Sequence, residues 1–149
     1  MSTAINLAGP DDLDRALALM ARFHEEASLP YDDAHRRATM EPLLSGSPLG
    51  AVWLIGPQRA PLGYVMVTFG WSVAQGGMVG WLEELFIRPS VRGRGIGTEV
   101  LHAVTVSLRR AELRAMHVIV PDDAPELARF CARTGFSVTT TPTLMTDPL

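Results

Sequence analysis

The chain has one cysteine, Cys131, so no intramolecular disulfide staples it, and no Cys/His cluster has the spacing of a zinc site. It also lacks an excess of basic residues. Thirteen Lys and Arg stand against sixteen Asp and Glu, for a net charge of −3. Proteins that grip phosphate backbones present basic surfaces, so nucleic acid is not an expected partner. No apolar run approaches the roughly 18 residues that cross a bilayer, and no membrane partner is expected. The opening M-S-T-A-I-N-L-A-G-P-D-D has neither the basic nor the apolar segment of a secretory leader, so a reduced, cytoplasmic setting is expected. Repeats and low-complexity tracts are missing as well. The remainder is 47% hydrophobic and 19% charged, a composition that buries a core. The 149 residues suit a single domain over 1–149.

The spacing of apolar residues sets out the elements. Thr3 to Leu7 reads as a short strand broken by Gly9-Pro10-Asp11. Asp11 is placed to cap a helix whose stripe is Leu13, Leu17, Met20 and Ala27, ending at Leu29-Pro30. Asp32 or Asp33 caps a second helix that runs to about Leu44. The period then changes. Ala51–Ile55, Leu62 to about Trp71, and Trp81–Ile87 read as strands, with Gly-Pro and Gly-Gly turns between them. Val100, Leu101, Val104 and Leu108 mark one face of a third helix. His117–Val120 reads as a further strand. Pro125 suits the first turn of a last helix, which Gly135 ends in a left-handed conformation. Val138 to Met145 offers one or two edge strands. This order describes a mixed α/β domain, antiparallel in its first half and βαβ-like in its second.

The segment V-R-G-R-G-I-G at 91–97 carries the strongest chemical signal. A strand that enters a glycine-rich loop at a helix start makes an anion site, because helix N-termini hold unsatisfied N–H groups. The same pattern also serves a tight connection that merely starts a helix. Two nucleotide readings fail on the residues. Gly97-Thr98-Glu99 has no lysine for a Walker A loop. Thr98 occupies the third glycine place of the dinucleotide fingerprint, and the loop follows an antiparallel meander.

L-E-E-L-F-I-R-P-S-V-R-G-R-G-I-G resembles the central motif of the GNAT superfamily of N-acetyltransferases, whose Arg/Gln-x-x-Gly-x-Gly/Ala signature is met by Arg92, Gly95 and Gly97. A-R-F-C-A-R-T-G-F at 128–136 resembles the last helix and Gly-Phe ending of that family. The resemblance implies a central, mostly antiparallel sheet of 6–7 strands flanked by about four helices. It implies acetyl-CoA as cosubstrate and no metal. The amides of Gly93, Arg94, Gly95, Ile96, Gly97 and Thr98, with Arg92, would hold the pyrophosphate. Exposed backbone of Leu85, Phe86 and Ile87 would pair with the pantetheine arm like an added strand.

Acetyl transfer to an amine needs a proton acceptor, and Glu83 and Glu84 are the candidates. Strand alternation places them on opposite faces unless a bulge reverses the parity. Glu83 lies at the position that resembles the catalytic glutamate of diamine acetyltransferases. Pairing with Arg or Lys on a solvated face is the alternative for both acids. Cys131 stands where the family commonly has Tyr beside the thioester sulfur, and Ala124 where it has Asn. A buried packing role for the thiol is the plain alternative. Glu25, Glu26, Asp32 and Asp33 would attract a cationic amine, or simply solvate helix ends. His24, His35, His102 and His117 are too scattered to be ligands, and Trp53, Trp71 and Trp81 suit core or pocket wall. The resulting expectation is direct transfer from acetyl-CoA to a primary amine of a small molecule, with room for a homodimer. The alternative is a non-catalytic acyl-CoA-binding module.

Overall fold

Alternating apolar residues and short turns produce one sheet whose strands stand in sequence order. The computed structural model describes residues 3–139 and 143–149. The chain divides into two compact units, Met1–Ile119 and Val120–Leu149.

In the first unit β1 (Ile5–Leu7), β2 (Gly50–Ile55), β3 (Gly63–Ser72) and β4 (Gly77–Ile87) pair antiparallel in turn. β5 (Ala115–His117) then joins β4 in parallel through Val79–Trp81. The sheet order is β1-β2-β3-β4-β5. Helices α1 (Leu13–Glu26) and α2 (Asp33–Leu44) precede β2, and α3 (Ile96–Arg110) makes the crossover from β4 to β5.

α1 and α2 cover one sheet face. Ala16, Leu19 and Met20 of α1 and Met40 and Leu44 of α2 form one buried cluster with Val52, Leu54, Tyr64, Met66 and Phe86. Each large side chain fully buried there contributes about 1.5–3 kcal/mol. α3 covers the other face with Val100, Leu101, Val104 and Leu108, all buried. Gly80 of β4 marks that contact. A Cβ at Gly80 would meet Val67 Cγ1 at 3.0 Å and Leu108 Cδ1 at 3.7 Å.

Several boundaries follow the expected chemistry. Asp32 caps α2, its carboxylate accepting from the His35 amide at 2.8 Å. α1 ends at Glu26, with Ala27 as its cap and not within it; Ser28 turns left-handed at φ 54° and the Leu29 amide returns to the His24 carbonyl. In the second unit α4 (Pro125–Arg133) begins on Pro125. It ends the same way: Gly135 has φ 109° and the Phe136 amide donates to the Cys131 carbonyl at 3.0 Å.

The sheet differs from expectation in three places. It has five strands among the described residues, not 6–7. Val138, Leu144 and Met145 are exposed, so the expected edge strands have no buried face to cover; residues 140–142 of that span lie outside the described residues. β5 covers 115–117 in place of 117–120. The Arg114 amide already donates to the Met78 carbonyl, which starts the parallel ladder two residues earlier. β4 begins at Gly77, four residues before Trp81, because the turn at Gly76 returns the chain directly onto Ser72.

Candidate active site

Among the described residues the second half of β4 has a sheet partner on one side only. β3 pairs with it up to Ile87, but the ladder with β5 stops at Trp81 and His117. Leu85, Phe86 and Ile87 therefore lie beyond the point where β4 and β5 part, on an edge with no strand partner among the described residues, where only the Ile87 carbonyl is taken, by Arg92.

Glu83 is the irregular residue of β4. Met66 lies opposite Glu84 and Val67 opposite Leu82, so Glu83 is the extra residue of a β-bulge. The bulge corrects the expectation that the two acids face opposite ways. Glu84 Oε1 accepts from the Tyr64 hydroxyl at 2.8 Å, and Glu83 Oε1 accepts from the Thr68 hydroxyl at 2.9 Å. Tyr64 and Thr68 lie four residues apart on β3, hence on one face, and both carboxylates reach it. Their surroundings differ. Glu83 is exposed, whereas Glu84 also takes a 2.6 Å bond from Nε2 of His24, which is buried on α1. His24 Nδ1 is buried with no hydrogen-bond partner among the described residues. Burial, reinforced by the Glu84 charge, pushes the Tyr64 hydroxyl far above its ordinary range, so it stays a donor.

After β4 the chain takes a 3₁₀ turn at Pro89–Val91 and enters α3 through the glycine loop. Gly93 and Gly95 both have φ 77°, and Gly95 is the N-cap of α3. A Cβ at either would meet nothing within 4 Å, so the positive φ, and not crowding, selects glycine there. The amides of Gly93, Arg94, Gly95, Ile96, Gly97 and Thr98 have no hydrogen-bond partner among the described residues, and the first return bond of the helix runs from the Glu99 amide to the Gly95 carbonyl. Six consecutive free donors at the positive end of a 15-residue helix are a cradle that could receive an anion.

The Arg92 guanidinium is already engaged by other groups of the protein. Its Nη1 and Nη2 hold both carboxylate oxygens of Glu26 at 2.5 and 2.8 Å, its Nε donates to the Ile87 carbonyl at 2.7 Å, and its guanidinium lies 5.6 Å from the Phe86 ring centre. The pairing holds Glu26 below and Arg92 above their ordinary ranges, chiefly through these hydrogen bonds. Other helix-end acids are engaged too: Asp33 with Arg36 at 2.6 Å, and Asp32 as the α2 cap. Glu25 is exposed. Cys131 lies on α4 in the second unit; it is buried, and burial pushes its thiol up. Among the described residues no three His, Cys, Asp or Glu side chains gather as metal ligands, and no helix is long and apolar enough to cross a membrane.

Sequence reasoning missed His24 and Tyr64 as partners of Glu84, and Glu26 as the partner of Arg92. His24 did carry a signal, four residues after Met20 on the apolar stripe of α1. The Arg92–Glu26 pair spans 66 residues and left no local trace.

The family model described as "Acetyltransferase (GNAT) family" matches residues 15–136. The chain belongs to this family. Solved structures agree on the fold. The GNAT chain is similar to integron cassette protein HFX_CASS3 from the mobile metagenome of Cole Harbour Salt Marsh, at 26% identity and TM-score 0.84, over 96% of this chain and 89% of that one. It is also similar to the aminoglycoside N-acetyltransferase AAC(6')-Iy, solved in complex with CoA, at 17% identity and TM-score 0.82, over 99% and 95% of the two chains. A third is the aminoglycoside acetyltransferase meta-AAC0020 from an uncultured soil metagenomic sample, solved with sisomicin, at 13% identity and TM-score 0.79, over 99% and 96%. No curated protein matches the chain in sequence.

Proposed function

We propose that this GNAT protein moves an acetyl group from acetyl-CoA to a primary amine of a small molecule by direct transfer in a ternary complex. The observation that carries the reading is the glycine loop, with its run of unpartnered amides from Gly93 to Thr98 beside an open strand edge at Leu85–Ile87. The two features suit two successive parts of acetyl-CoA. A pyrophosphate needs convergent N–H donors, and the amide-bearing pantetheine arm needs extended backbone to pair with. Relatives of the same fold include one solved with CoA and one solved with a small aminoglycoside, which supports a small-molecule acceptor.

In this reading Glu83 accepts the proton that the attacking ammonium must lose. Its carboxylate is exposed and held by a single neutral hydroxyl, so it has capacity for an incoming N–H donor. Glu84 accepts from two donors already and fixes β4 next to the bulge. The amine nitrogen bonds to the thioester carbonyl carbon, the C–S bond breaks, and the second proton lost by the nitrogen passes through solvent water to the departing thiolate. Cys131 is a poor proton donor for that step because burial raises its pKa.

The test is thiol release from acetyl-CoA in the presence of a panel of small amines. Amine-dependent release at rates of about 1 s⁻¹ or more is expected. Binding of acetyl-CoA without release for any amine would leave an acyl-CoA-binding module in place of an enzyme.

A further inference from the structure

Where β4 and β5 part, two rings stand at the apex. Trp81 and His117 are the last partners of the parallel ladder, with ring centres 4.8 Å apart and planes at 43°. Trp81 lies directly opposite Thr68 on β3, and the Thr68 hydroxyl donates to Glu83. Indole and carboxylate therefore flank the same threonine on the same sheet face. Trp81 is 37% exposed, although its strand lies between two others. That is a large flat apolar area left open beside a carboxylate, at the point where the strand edge becomes free.

Most of the acids that could meet an amine are already engaged, Glu25 excepted, which is exposed. Glu26 is neutralised by Arg92, Asp33 by Arg36, and Glu84 is held by His24 and Tyr64. Glu83 has only a neutral hydroxyl as partner among the described residues. One carboxylate next to one open ring pair suits one ammonium on a flat apolar body, which gains both an ion contact and an aromatic face. An extended polyamine or an aminosugar offers no flat aromatic face to the ring pair.

Accepting the acetyltransferase reading above, we infer that the acceptor is a monoamine of the arylalkylamine class, with its ring on Trp81 and His117 and its amino group at Glu83. The proposal separates this chain from its aminoglycoside-acetylating structural relatives by acceptor chemistry.

The experiment is calorimetric titration of phenethylamine, spermidine and kanamycin into the protein saturated with CoA. Phenethylamine binds at least tenfold more tightly than either polycation. Trp81→Ala loses at least tenfold of that binding and Trp81→Phe keeps most of it, each variant checked for folding by thermal melting. In turnover, Trp81→Ala raises KM for phenethylamine at least tenfold while kcat changes less than threefold. Should Trp81→Ala fail to fold, His117→Ala serves in its place, with a loss of at least threefold expected. Tighter binding of spermidine or kanamycin, no binding of any amine, or wild-type phenethylamine affinity in the folded alanine variant overturns the inference. Phenethylamine binding in the expected order without acetylation overturns the transferase reading alone.

Discussion

Glu84 accepts from two side chains, buried His24 and buried Tyr64, while Glu83 beside it holds one hydroxyl and faces water. That contrast fixes the division of labour proposed for the pair. A general base contributes roughly 10²–10⁴-fold, so Glu83→Gln lowers kcat by that factor and leaves acetyl-CoA affinity near wild type, measured by thiol release and calorimetry. Glu84→Gln acts on the fold instead. Removing the charge leaves His24 with a weaker acceptor in a buried place, which costs roughly 1–3 kcal/mol in urea unfolding. The reverse ranking would make Glu84 the base. The presence of two adjacent acids was legible in L-E-E-L-F. Their orientation was not, because strict alternation holds only in a regular ladder and the bulge at Glu83 breaks it.

At the scale of elements, most of the secondary structure was readable because its signals are local. Asp32 before α2, Pro125 at the start of α4 and Gly135 at its end each do what their side chains, or the lack of one, favour. The sheet edges were not readable, since the fate of Val138 and the start of β5 depend on what lies alongside in space. The same limit hid the link between α1 and the glycine loop. Arg92 carries the signature position of the motif, yet its guanidinium ties the loop to Glu26 and to the end of β4. Such half-exposed pairs are worth about 0–1 kcal/mol, so Glu26→Gln lowers stability by no more than about that in urea unfolding. Arg92→Ala weakens acetyl-CoA binding less than tenfold, about 1.4 kcal/mol, because the guanidinium is already paired with Glu26. A hundredfold loss with stability unchanged would put Arg92 on the phosphate after all.

Taken as a whole, the chain uses the sheet to bring distant segments to one place. β4 supplies both the open edge and the acids, α3 supplies the amide cradle at its first turn, and α1 holds Glu84 and Arg92 from the opposite layer through His24 and Glu26. The family was legible because the cradle and the strand before it are contiguous in sequence. The polar network was not, because its members come from residues 24, 64 and 84. The run of amides from Gly93 to Thr98 is the feature on which acetyl-CoA binding most depends. Its most direct test is calorimetric titration of acetyl-CoA into the wild type and into Gly95→Asp. Aspartate at φ 77° strains the loop and sets a negative charge where the pyrophosphate must come. Micromolar-range binding to the wild type, about 8 kcal/mol, is expected, with a loss well beyond tenfold in the variant and melting confirming that it folds. Equal acetyl-CoA affinity in a folded Gly95→Asp protein would contradict that dependence.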